Sequence, residues 1–136
     1  FSKKSKIEKF RKSTNFSNVK DLKLRDVEVV VEAEGDIPER SAVFADRVSG
    51  MKIEGFGGRQ SVPNGTSPAL HLQNCRDAQI TGSRASAETG TFVRLDGTET
   101  ANVCLMGNNL AAVGQAVSLG DGVSEDILFE TGNRKE

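Results

Sequence analysis

The sequence predicts an all-β fold, a right-handed parallel β-helix (a solenoid) of about five coils with a short N-terminal capping helix. Two alignments carry this prediction and an absence supports it. Five segments share an apolar–x–apolar core: Leu22-Lys23-Leu24, Met51-Lys52-Ile53, Ala78-Gln79-Ile80, Val103-Cys104-Leu105 and Ile127-Leu128-Phe129, at spacings of 29, 27, 25 and 24 residues. A second set, Val43-Phe44-Ala45, Leu70-His71-Leu72, Val93-Arg94-Leu95 and Val117-Ser118-Leu119, precedes the last four by 8, 8, 10 and 10 residues. After residue 13 no long stretch keeps the 3.6-residue period that a helical solenoid of this repeat needs.

The elements follow in chain order. Residues 1–14 read as a basic arm or capping helix. Within them Ser5–Lys12, with Ile7 and Phe10 three apart, fits a short amphipathic helix. Its use would be to cover the first coil, because an open β-helix end pairs with other chains. Residues 15–136 form one parallel β-helix domain, readable as the C-terminal part of a longer chain. Period-2 alternation over three to five residues gives strands with one buried face. A unit of this length cannot bury that face alone, so stacking supplies both the core and the hydrogen-bond ladder. The inward columns are Leu22, Met51, Ala78, Val103, Ile127 and Leu24, Ile53, Ile80, Leu105, Phe129. The opposite wall is Val43, Leu70, Val93, Val117 with Ala45, Leu72, Leu95, Leu119. Each buried Leu, Ile or Val contributes roughly 1.5–3 kcal/mol. Glycine and proline punctuation separates the strands, Arg59–Pro68 reads as an excursion between coils, and Thr131–Glu136 reads as a fraying tail.

Composition narrows the chemistry. The 136 residues and 14.6 kDa suit one domain. There is no Trp, no Tyr and one His, which excludes metal sites of two or three histidines and leaves seven Phe for sugar stacking. The net charge of −1 is uneven: in residues 1–12 six cations face Glu8, a net of +5, which leaves −6 on the remainder. A basic arm can contact nucleic acid or anionic lipid, but on so acidic a body it reads as a solvated tail or cap, and no nucleic acid or membrane partner is expected. No stretch approaches the roughly 18 apolar residues of a membrane span.

Individual residues give few chemical leads. Cys75 falls with Val19, Val48 and Thr100 at an inward or corner site, whereas Cys104 falls with Lys23, Lys52 and Gln79 outside, so two free thiols are expected. His71 turns outward between Phe44 and Arg94 of the neighbouring coils. Asp96-Gly97 and Asp121-Gly122 follow equivalent strands; paired carboxylates can hydrolyse glycosides, but Asp-Gly is also a turn dipeptide and is read so here. Gly55-Phe56-Gly57-Gly58 matches neither a P-loop nor a dinucleotide fingerprint.

The run from Ser41 to Gln60 resembles the later coils of bacterial polygalacturonase-like proteins, of glycoside hydrolase family 28 and its pectin lyase-like relatives. So do Ser67–Cys75 and Gly90–Gly97. The resemblance spans about residues 15–132 and implies a polysaccharide-acting, exported protein (periplasmic or extracellular). The family's Asn-Thr-Asp, Asp-Asp and Arg-Ile-Lys motifs are missing here, and His71 sits in Leu-His-Leu where the family has a Gly-His-Gly-type motif. No residue therefore inherits a catalytic role, and no metal or other cofactor is implied.

The expected function is thus the C-terminal β-helix scaffold portion of a polysaccharide-acting, pectin-type glycoside hydrolase-like protein, itself lacking the family's catalytic motifs. The outward residues Lys52, His71 and Arg94 are the candidates for contact with an acidic polysaccharide. The alternative is a free-standing, non-catalytic carbohydrate-binding or self-assembling module. It would form a homo-oligomer through its coil ends or side wall, with Leu128 as an outward apolar contact. A small intact lyase or epimerase ranks behind both, since no acid is matched with a base.

Overall fold

A computed structural model describes residues 8–10, 14–29, 40–61 and 66–135, the first three by their backbone path. The strands are β1 (Glu8–Phe10), β2 (Thr14–Ser17), β3 (Lys23–Arg25), β4 (Val27–Val29), β5 (Val43–Asp46), β6 (Ser49–Glu54) and β7 (Gly57–Gly58). They continue as β8 (Pro68–Gln73), β9 (Arg76–Thr81), β10 (Arg84–Ala85), β11 (Thr91–Asp96), β12 (Ala101–Met106), β13 (Gln115–Leu119) and β14 (Leu128–Thr131). They stack as a parallel β-solenoid with three walls. The first is ordered β13-β11-β8-β5-β2, the second β14-β12-β9-β6-β3 and the third β1-β4-β7-β10.

The columns read from the sequence are the core. Leu22, Met51, Ala78, Val103, Leu24, Ile53, Ile80 and Leu105 are buried, as are Val43, Leu70, Val93, Ala45, Leu72 and Leu95 opposite them. Corners recur in register too. Asp26, Gly55, Gly82, Gly107 and Gly132 each follow a second-wall strand with φ between 51° and 68°. Asp and Gly reach that left-handed region at low cost, and the turn into the third wall requires it.

Four expectations are corrected. Glu8–Phe10 is not helical: it is a strand running parallel to Val27–Val29, because an unpaired sheet edge offers backbone partners that a short isolated helix lacks. The rest of the expected capping helix lies outside the described residues. The third wall was not read from the sequence: its strands are only two or three residues long, and one is Gly57-Gly58. The register of the last coil is displaced by one residue: Val103 pairs with Leu128 and Cys104 with Phe129. A 3-10 turn at Glu125–Ile127, capped by the Ser124 side chain, takes up the extra residue. Leu128 therefore belongs to the inward column, and Phe129 points outward at 57% exposure. Finally, the tail is anchored: Asn133 Nδ2 donates to the Leu105 carbonyl at 2.9 Å, and Leu110 N donates to the Arg134 carbonyl at 2.6 Å.

The excursion after Arg59 also contributes to the interior. Gln60 is fully buried, its Nε2 donating to the Glu88 carbonyl at 3.0 Å. Residues 62–65, with Asn64-Gly65, lie outside the described set.

Candidate functional site

Alternation along the first wall sends every second side chain outward. Parallel pairing then aligns those side chains into rows along the solenoid axis. One row runs Asn15, Phe44, His71, Arg94, Ser118, and the next runs Ser17, Asp46, Gln73, Asp96. Their inward neighbours are buried apolar residues, so the backbone beneath these rows is held by the core.

A hydrogen-bonded cluster forms where the rows meet. His71 Nε2 lies 2.6 Å from Asp96 Oδ2, and Arg94 Nε donates to the same oxygen at 2.8 Å. Arg94 Nη1 donates to Ser118 Oγ at 2.9 Å. Phe44 meets the His71 ring edge-on, with centroids 5.0 Å apart. Partial burial pushes Asp96 up, but the hydrogen bonds and positive charge of Arg94 and the bond with His71 outweigh it, and its carboxyl titrates below the usual range. An ionised Asp96 accepts only, so Nε2 carries the imidazole proton and donates it. Room for the carboxylate depends on the coil above: a Cβ at Gly120 would collide with Asp96 Oδ1.

The linkage has a definite sign. A carboxyl whose folded pKa is depressed stabilises the fold above its unfolded value, near 3.8, and loses that contribution as pH falls through the folded value. Asp96→Asn should therefore lower the urea midpoint at pH 7, and the gap from the native protein should close below about pH 3.8. Urea titrations of both proteins over pH 2–7 would check this; a gap that does not change with pH would refute the assignment.

Of the three residues proposed from the sequence, the fold brings two together. His71 and Arg94 are direct neighbours on the first wall. Lys52 lies on the second wall, between Lys23 and Gln79. Sequence reasoning missed Asp96 by assigning its Asp-Gly to a turn. The signal was there: two residues beyond Arg94 on a strand is the same face, diagonal to His71. Asp46, two coils below Asp96 in its row, has a buried Oδ1 that no described group hydrogen-bonds.

The thiols sit as expected. Cys75 is buried among the core residues, and burial pushes its thiol up from the usual range. Cys104 faces outward on β12, half-buried, and both cysteines are free. Among the described residues no group of three or more His, Cys, Asp or Glu could hold a metal ion. None of their helices is long and apolar enough to cross a membrane.

Glycoside hydrolysis by two carboxyl groups requires one protonated acid, and Asp96 is kept ionised by two donors. The cluster presents a fixed carboxylate, a guanidinium edge and an aromatic ring on the outer face of the first wall. No protein-family model, curated protein or solved structure matches the chain.

Proposed function

We propose that this chain is the non-catalytic scaffold portion of a polysaccharide-acting protein, a right-handed parallel β-helix of the pectin lyase-like, glycoside hydrolase family 28-like kind. Its sugar-contacting surface is the outer face of the first wall. The observation that supports this reading is the Phe44–His71–Asp96–Arg94–Ser118 array. It is held by a rigid wall and aligned along the axis, as a linear polymer lying on the solenoid would need. Arg94 supplies a positive side chain for an acidic sugar, His71 an aromatic ring edge and Asp96 an acceptor for hydroxyl hydrogens.

The test is affinity electrophoresis in polygalacturonate, with a neutral glucan for comparison. The His71→Ala/Arg94→Ala double variant should bind at least about tenfold more weakly, the loss expected for one or two hydrogen bonds to charged groups. Lys52→Ala, on another wall, should bind normally. Unchanged binding by the double variant, or none by the native chain, would end this reading.

A further inference from the structure

The two carboxyl groups beside His71 are unequally provided for. Asp96 is crowded: its Oδ2 meets both His71 Nε2 and Arg94 Nε, at 2.6 and 2.8 Å, and its Oδ1 is turned against Gly120 of the coil above. Two donors fill the lone pairs of a single carboxylate oxygen. Asp46 is the reverse. Its Oδ1 is buried, and no described group hydrogen-bonds to it. An atom that has lost water without gaining a donor destabilises the fold.

The strand register relates the two groups to one ring. Phe44 pairs with His71 and Asp46 with Gln73; one coil higher, His71 pairs with Arg94 and Gln73 with Asp96. Asp46 and Asp96 therefore occupy equivalent diagonal positions, two residues along the strand from His71, one coil below it and one above. Diagonal neighbours are about 7–8 Å apart, within reach of an aromatic side chain. The contact with Asp96 shows that His71 covers this distance upward, and another staggered rotamer would cover it downward. The donors on Asp96 also differ in how firmly they are held. Arg94 is fixed twice, because its Nη1 donates to Ser118 Oγ at 2.9 Å, whereas among the described residues His71 has the Asp96 bond alone. A ligand hydroxyl approaching Asp96 Oδ2 must displace one donor, and the singly held imidazole yields first.

We propose that Asp46 is a positioning residue, a second seat for the His71 imidazole, which crosses from Asp96 to Asp46 when a ligand hydroxyl claims Asp96 Oδ2. The identity of the displacing group rests on the sugar-contacting reading. The two seats do not, and they can be tested without ligand.

Removing Asp96 displaces His71, so a double-mutant cycle at pH 7 tests the seats. In the native background Asp46→Ala deletes an unpaired buried oxygen and should raise the urea midpoint by about 0.5 M. In the Asp96→Ala background the imidazole is bonded to Asp46, and the same substitution should lower the midpoint by about as much. The chain has one histidine, so its ring N–H gives a single NMR signal. That signal should survive in Asp96→Ala, protected by the bond to Asp46, and be lost to exchange with water in the double variant. A merely structural role for Asp46 would not move it. An Asp46→Ala effect of the same sign in both backgrounds would overturn the proposal, and so would a signal already lost in Asp96→Ala. Added to the native chain, polygalacturonate should shift the signal toward its Asp96→Ala position; binding that leaves it in place would also overturn the proposal. No binding at all would end the sugar reading, and the cycle would still decide the two seats.

Discussion

Asn108→Leu should cost about 3–5 kcal/mol, roughly 2 M in urea midpoint for a chain of this size. Asn108 is buried where the chain turns from the second wall to the third. Its Oδ1 accepts from Ser83 N at 2.9 Å, and its Nδ2 donates to the Ile80 carbonyl and to Asn133 Oδ1, each at 2.9 Å. One coil down, Ser83 Oγ accepts from Phe56 N at 3.1 Å; one coil up, Asn133 Nδ2 reaches the Leu105 carbonyl. These polar side chains tie each coil to the next where strand pairing is interrupted. Leucine fills a similar volume, so the loss isolates the hydrogen bonds: it leaves a buried N–H and a buried carbonyl short of partners. Asn108→Asp keeps the acceptor but loses both donors and should also be destabilised. Urea unfolding followed by circular dichroism would decide; a change below about 1 kcal/mol would mean the ladder does not hold the coils together.

Gly58→Ala is expected to have a comparable effect, and its neighbour supplies the control. Gly58 lies on the third wall with φ at +155°, where a Cβ would stand 2.6 Å from the Val29 carbonyl oxygen and 3.1 Å from Phe56 Cζ. One obstacle is the backbone of the adjacent strand and the other a buried ring that packs on Phe92 at 6.3 Å. Neither gives way cheaply, so backbone strain and overpacking should together cost about 3 kcal/mol or more. At Gly57 the nearest atom to an added Cβ is the Arg84 carbonyl oxygen at 4.0 Å, so Gly57→Ala should change stability by less than about 1 kcal/mol. Equal midpoints for the two variants would show that the close approach at Gly58 is not a constraint.

The same contrast explains what could be read from the residues alone. Leu70-His71-Leu72 and Val93-Arg94-Leu95 announce their strands because inward and outward positions differ in polarity. Gly57-Gly58 and Arg84-Ala85 form strands with no such alternation, held in place by the walls beside them, and their composition reads as turn. The last coil misled for a related reason. Ile127, Leu128 and Phe129 are all apolar, so alternation does not choose a register, and the Ser124-capped 3-10 turn sets it instead. Asp96 was passed over as a turn residue because its bonds to His71 and Arg94 exist only once β8 and β11 lie side by side.

By itself the sequence determined the repeat, the two long walls, the inward columns as far as the fourth coil, and the outward placing of Lys52, His71 and Arg94. Those follow from a two-residue period copied at nearly constant intervals, a local property of the chain. Tertiary structure decided the third wall, the final register, the Asn108 ladder and the gathering of His71, Arg94 and Asp96 apart from Lys52. Each depends on groups about 25 residues apart meeting across coils, and the length of the intervening turns, rather than any local preference, fixes which groups meet.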